Sequence, residues 1–319
     1  MKMKQMKQSM LLLLAAMIWG CAFVAQSTGG EAVGPYSFNG IRSFIGSLVL
    51  LPVIALLDKY GDANHKPSTK EEHRQLWLGG ICCGSCLFLA STAQQLGLFL
   101  GTNAGKAGFI TASYILIVPI IGLFLHKKCA KHVWVCVFAA LLGLYLLCMT
   151  SGFTMERGDV FVLSCAFLFS AQIMFVDYFA PKVDCVRLSS IEFLITGLCS
   201  LIPMYLKEIR PIGFSAWISL FFDGGVWVAL LYAGVLSCGV AYTFQVIGQR
   251  ELNPTLASLL MSLESVFSVI AGTIILHERM KPRELMGCLV LFAAIICSQI
   301  PADVFRFKKR VRGNAKEAA

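Results

Sequence analysis

The residues of this sequence that are best suited to carry out chemistry are ionisable side chains inside long apolar segments. Glu264 lies eleven positions into one such segment, in the run Met261-Ser-Leu-Glu-Ser265. A charge at the middle of a membrane costs roughly 2.5 to 3.5 kcal/mol, so its presence predicts a role. Glu264 is expected to contact a substrate or to take up and release a proton; the alternative is a structural glutamate bonded to nearby hydroxyls or amides.

Arg42 and Glu192 are two further charges inside apolar segments, and they lie 150 residues apart. At 1.5 Å per helical residue, Arg42 would lie about 9 Å from one membrane face and Glu192 about 6 Å from the other. This difference in depth argues against a direct salt bridge. Each charge is expected to pair locally, to line one mouth of a cavity, or to extend along its stem to water.

Amide and aromatic side chains within the apolar segments complete the predicted site. Gln94, Gln95 and Gln245 offer both a donor and an acceptor to a polar metabolite. Trp19 and Tyr242 could stack on a planar part of the same molecule. The alternatives are that the amides join helices and that the rings only pack.

Other motifs have weaker chemical implications. Pro119 lies midway along an apolar segment and predicts a helix kink, because proline removes one backbone hydrogen bond. Cys83 and Cys86 have the spacing of redox and zinc sites, but no second pair accompanies them, so they are interpreted as small apolar fillers. No nucleophile and base share a recognisable spacing. Neither a metal, nor a cofactor, nor an enzymatic activity is predicted.

Composition shows which medium must surround these residues. Hydrophobic residues make up 57% of the 319 positions and charged residues 14%, too little polar surface for a water-soluble domain of this size. The net charge of +9 comes from short basic clusters between apolar runs, which encode membrane topology rather than nucleic-acid binding. Nineteen of the 27 Lys and Arg residues fall on one side if the N-terminus is cytoplasmic. Both termini are therefore predicted to be cytoplasmic.

The apolar runs predict an all-α integral membrane protein with ten transmembrane helices, since about 20 apolar residues cross a bilayer. A longer loop at 208–225 carries aromatic residues that favour an interfacial helix. The predicted spans lie near residues 10–28, 36–57, 76–100, 107–126, 132–150, 158–180, 188–207, 226–247, 254–276 and 283–300.

A shift of 150 residues relates the two halves of the chain. Because each half would hold five spans, an odd number, the second half would enter the membrane from the opposite face, giving two inverted five-helix repeats. The predicted units are residues 1–150, residues 151–303 and a basic cytoplasmic tail at 304–319. The shift superposes Trp77 on Trp227, Gly84 on Gly234, Gln95 on Gln245, Asn103 on Asn253 and Ala107 on Ala257.

Three stretches of sequence resemble the EamA-like transporters of the drug/metabolite transporter superfamily. They are AMIWGCAF at 16–23, Arg42-Ser-Phe44, and NPTLASLLMSLE at 253–264 leading to LHER at 276–279. The resemblance implies ten helices in two inverted repeats around a central cavity. It also implies exchange or efflux of metabolites such as amino acids, without ATP.

The sequence therefore predicts a secondary transporter that moves small metabolites by alternating access. The expected partners are a small-molecule substrate and the lipid bilayer, with proton coupling through Glu264 as an option. The expected location is a plasma membrane, in a bacterium the inner one. The alternative from a different class is a membrane-embedded scaffold or sensor without transport activity. The substrate, the direction, the coupling ion and the oligomeric state are not indicated.

Overall fold

The structure is a computed structural model that describes residues 2–60, 66–102, 104–127, 130–148, 156–275 and 281–298. The predicted tail at 304–319, the LHER motif at 276–279 and the boundary at residue 150 lie outside the described residues.

The described residues form helices joined by short connections. Six helical segments are long and apolar enough to cross a membrane: 35–59, 70–99, 107–124, 157–179, 185–212 and 224–249. The part of the chain that the structure describes is thus that of an all-helical membrane protein. The helices are α1 Lys2–Val33, α2 Pro35–Tyr60, α3 Lys70–Phe99, α4 Ala104–Ala112, α5 Tyr114–Phe124, α6 Lys131–Cys148, α7 Arg157–Phe179, α8 Cys185–Ile212, α9 Phe214–Ser219, α10 Gly224–Gln249, α11 Pro254–Met261, α12 Glu264–Ile275 and α13 Pro282–Ser298.

Two segments predicted as continuous spans are each divided into two helices. The first division lies at Ser113, between α4 and α5, and the second follows Ser262, between α11 and α12. At each division a serine hydroxyl donates to the carbonyl three residues earlier: Ser113 to Ile110 at 2.6 Å, and Ser262 to Leu259 at 2.7 Å. Such bonds compete with the helical backbone ladder and bend helices. The first division precedes Pro119, which lies inside α5.

The segment after α8 contains the short helix predicted for the loop at 208–225. The eighth helix runs on to Ile212 through one π-helical turn at Tyr205–Ile209, beyond the predicted end at 207. Helix α9 then exposes Phe214 and buries Trp217. An amphipathic, aromatic segment of this kind suits the headgroup region of a bilayer.

The largest buried cluster joins helices from both parts of the chain. It contains residues of α1, α5, α6, α7, α11, α12 and α13. Leu12, Ile115, Leu144, Leu259 and Leu291 are among its fully buried members. The first helix therefore packs with helices from both halves of the sequence.

Two close contacts between helices are related by the 150-residue shift. Adding 150 to the residue number of one partner and subtracting 150 from that of the other converts the first contact into the second. A Cβ atom at Gly84 on α3 would lie 2.5 Å from the backbone oxygen of Glu192 on α8. A Cβ atom at Gly234 on α10 would lie 3.1 Å from the backbone oxygen of Arg42 on α2. Glycine is required at both places because any larger residue would separate the helices.

The polar contacts at the two ends of the α2–α8 pair are related by the same shift of 150 residues. At one end, the Glu208 carboxylate accepts bonds from the backbone N–H groups of Tyr36, at 2.9 Å, and Ser37, at 2.6 Å. At the other end, Arg187 Nη2 donates to both carboxylate oxygens of Asp58, at 2.5 and 2.7 Å. Positions 37 and 187, and positions 58 and 208, are both separated by 150.

Candidate functional site

A narrow cavity, with a volume of about 60 Å³, lies where helices from both parts of the sequence meet. The described residues of its wall combine one cation, one carboxyl group, several amides and several aromatic rings, a composition that suits a small polar ligand. The lining residues are Trp19, Gln26, Arg42, Gln94, Thr111, Tyr114, Phe169, Gln172, Ile173, Ser237, Tyr242, Gln245, Met261 and Glu264.

Glu264 is the carboxyl group of this cavity, and the helix division places it there. It is the first residue of α12, just after the division that follows Ser262. Tyr114, the first residue of α5, donates its hydroxyl to Glu264 Oε1 at 3.4 Å. The two residues are separated by 150 positions, so equivalent sites of the predicted repeats meet each other. Gly20 brings α1 against the backbone oxygen of Glu264, where a Cβ atom would lie at 2.8 Å.

Arg42 is the cation of the cavity, and only 7% of it is exposed. Its Nη1 donates to Gln26 Oε1 at 2.7 Å, and its guanidinium lies 5.5 Å from the centre of the Phe38 ring. A cation–π contact contributes about 0.5 to 2 kcal/mol, below the several kcal/mol that desolvation of an ion costs. These described contacts therefore neither balance the charge of the guanidinium nor use most of its N–H donors.

The aromatic wall also carries an unused donor. Trp19 and Tyr242 form an edge-to-face pair with ring centres 4.8 Å apart, and Phe193 packs on Tyr242 at 5.1 Å. Trp19 Nε1 is buried and has no hydrogen-bond acceptor among the described residues. A buried donor of this kind is costly unless a ligand or water completes it.

A chain of amides connects the cavity to a second buried carboxyl group, that of Glu192. Gln172 Nε2 donates to Glu192 Oε1 at 2.8 Å, and Gln245 Nε2 donates to Gln172 Oε1 at 3.1 Å and to Gln249 Oε1 at 3.2 Å. Gln245 Oε1 is left without a donor among the described residues. This acceptor belongs to a residue of the cavity wall, although the oxygen itself is buried.

The structure brings together five of the seven predicted site residues and sets two apart. Trp19, Arg42, Tyr242, Gln245 and Glu264 all line the cavity.

Gln95 lies outside the cavity lining, because its Nε2 donates to the backbone oxygen of Gln26 at 3.1 Å. Its neighbour Gln94 lines the cavity instead and donates to Thr111 at 3.1 Å. Glu192 is completely buried behind Gln172 and does not line the cavity.

Sequence reasoning missed Gln26 and Gln172 as cavity residues. Both are amides within long helices, so the criterion that selected Gln245 would also have found them.

Cys83 and Cys86 are free thiols on α3, and Cys83 is fully buried. Across the described residues, no group of three or more His, Cys, Asp or Glu side chains is arranged to hold a metal ion.

Comparisons with known proteins agree with this architecture. A sequence model of the EamA-like transporter family matches the chain twice, at residues 6–149 and 156–299. An uncharacterized transporter of Archaeoglobus fulgidus is 28% identical over 297 residues, which is 92% of this chain and 87% of that protein. The uncharacterized transporter YoaV of Bacillus subtilis is 21% identical over 312 residues, 94% of this chain and 97% of that protein.

A solved crystal structure at 19% identity shares the fold, with a TM-score of 0.73 over 92% of this chain and 96% of the other. The two family matches together span nearly the whole chain. The chain therefore belongs to the EamA-like transporter family, a family of membrane transporters.

Proposed function

We propose that this protein is a secondary transporter that moves small polar metabolites across a plasma membrane by alternating access. The observation that carries the proposal is the cavity, which holds a guanidinium and a carboxyl group within a bundle of apolar helices. Charged groups in such a position are costly in lipid, and they mark the pathway of a substrate or an ion.

Alternating access requires two halves that can move relative to each other around a fixed site. We propose ten transmembrane helices in two inverted repeats, residues 1–150 and 151–303. The double match to the family and the contacts that recur at a spacing of 150 support this arrangement. Tyr114 and Glu264 would then face each other at the axis that relates the halves.

The basic clusters favour cytoplasmic termini, including the tail at 304–319, in a bacterial inner membrane. Glu264 is the candidate for coupling transport to protons, because it is the one carboxyl group among the described cavity residues. A carboxyl group there can be neutral in one access state and ionised in the other.

Reconstitution in liposomes tests the proposal directly. A panel of labelled amino acids, organic acids, amines and sugars is offered to vesicles with and without a pH gradient. Wild-type vesicles are expected to accumulate at least one compound faster than empty vesicles. Glu264→Gln is expected to abolish the effect of the gradient, because an amide cannot exchange the proton. Glu71→Gln is the control, since Glu71 is exposed on α3, bonded to Arg74.

Two results would count against the proposal at different levels. If no compound moves faster than in empty vesicles, transport itself loses its support. If Glu264→Gln keeps both the flux and its response to the gradient, transport stands and Glu264 has no part in coupling.

A further inference from the structure

The cavity contains an imbalance of charge at Arg42. An arginine side chain stays protonated in proteins, so its positive charge is permanent. The side chain is 7% exposed and lies on the cavity wall. A buried cation is normally retained with an ionised partner, because desolvation is otherwise uncompensated.

The described contacts of Arg42 are all with neutral groups. Gln26 accepts one hydrogen bond at 2.7 Å, and the Phe38 ring lies 5.5 Å away. The ion pairs found among the described residues do not include Arg42. Since a guanidinium offers five N–H donors, most of its capacity remains after the bond to Gln26.

Glu264 does not supply the missing anion through direct contact. It lines the same cavity, but its described side-chain bond is with Tyr114. Arg42 is held by α2, whereas Glu264 is held by the start of α12. A permanent cation and a carboxyl group bonded to Tyr114 thus face one space without contacting each other, so the positive charge of Arg42 has no ionised partner among the described contacts.

We propose that Arg42 is the recognition point for an anionic group of the transported molecule, of the size and shape of a carboxylate. This inference rests on the proposed transport function and adds the class of cargo. A guanidinium binds a carboxylate through two parallel hydrogen bonds, which a carboxamide cannot reproduce. The Trp19–Tyr242 pair offers an apolar surface for the rest of the molecule.

Binding of three matched probes to the purified protein tests this inference. The probes are 3-phenylpropionate, 3-phenylpropionamide and 3-phenylpropylamine, which share a skeleton and differ in charge. Titration calorimetry of the wild type is expected to show that the carboxylate binds at least about tenfold more tightly than the amide, with the amine weakest. This comparison needs no variant, so it does not depend on the folding of a mutant.

Substitutions at Arg42 then assign the preference to one residue. Arg42→Gln is expected to remove the advantage of the carboxylate over the amide. Arg42→Lys is expected to keep an advantage, reduced a few-fold, because lysine keeps the charge but loses the planar fork. Arg74→Gln removes an exposed arginine on α3 and is expected to leave all three affinities unchanged.

The inference is overturned if the wild type binds the amide as tightly as the carboxylate, or if Arg42→Gln keeps the full preference. It is also overturned if neither this carboxylate nor any member of a series from acetate to citrate binds. Carboxylate binding that depends on Arg42, without flux in liposomes, would keep this inference and remove transport. Flux of amines or amides without any preference for anions would keep transport and remove this inference.

Discussion

Glu208 stabilises the first turn of α2 from a distant part of the chain, and its removal gives a quantitative prediction. The turn begins Gly34-Pro35, so no side chain at its start can accept from the free N–H groups of Tyr36 and Ser37. The Glu208 carboxylate accepts both, and the Ser37 hydroxyl as well, at 2.9, 2.6 and 2.5 Å.

The expected magnitude follows from these three bonds. Removal of a helix cap costs about 0.5 to 2 kcal/mol, and a hydrogen bond to a charged group contributes about 1.5 to 3 kcal/mol. Water reaches this partly buried site and replaces some of the lost bonds, so the contributions do not add fully. Glu208→Ala is expected to lower the free energy of unfolding by about 2 to 3 kcal/mol, and Glu208→Gln by about 1 kcal/mol.

Unfolding in detergent, followed by circular dichroism, measures these losses. A double-mutant cycle with Ser37→Ala isolates the hydroxyl bond, with an expected coupling of about 1 kcal/mol. Trp217 Nε1 donates to the same hydroxyl at 2.8 Å, but that bond is lost in both branches of the cycle. Glu71→Gln, at an exposed site, serves as the control. An unfolding curve for Glu208→Ala that coincides with wild type would refute the reasoning.

Three further predictions concern the described contacts. Gly84→Val and Gly234→Val should destabilise the protein to similar extents, by about 1 to 3 kcal/mol, because each side chain would meet a neighbouring backbone; unequal losses in detergent unfolding would contradict the equivalence. Asp58→Asn should cause a smaller loss that shrinks at high salt, since its ion pair with Arg187 is partly exposed. Ser262→Ala should leave unfolding nearly unchanged but alter liposome flux, because the hydroxyl helps to divide the helix beside Glu264.

The membrane class and most of the charged and amide residues of the cavity could be predicted from the sequence, because an ionisable or amide residue in an apolar span is conspicuous. The depth of each residue in the bilayer and the rotation of each helix about its own axis were harder to predict. Gln94 and Gln95 are adjacent, and about 100° of helix rotation separates them. Helix α3 has apolar residues around its whole circumference, so periodicity could not show which glutamine faces the cavity.

Other features could not be predicted because they depend on contacts between distant segments. Glu208 is placed by sequence alone in a loop, whereas α8 continues past it and brings it to the start of α2. The helix divisions at Ser113 and Ser262 also escaped prediction. Each hydroxyl bonds to a carbonyl of the preceding helix, and the hydrophobicity of the sequence does not indicate which serines form such a bond.

The contact between Tyr114 and Glu264 joins two different residues at equivalent positions of the two halves. A single chain permits such a contact, whereas an assembly of two identical halves does not. In a symmetric dimer, a residue on the two-fold axis meets its own copy. Two glutamates would then repel each other, and two tyrosines would provide no carboxylate. With both halves in one polypeptide, position 114 has become a hydroxyl donor and position 264 an acceptor. In the proposed arrangement of two inverted repeats, a single polypeptide allows the centre of the bundle to be chemically asymmetric while the helix crossings at Gly84 and Gly234 keep an equivalent form.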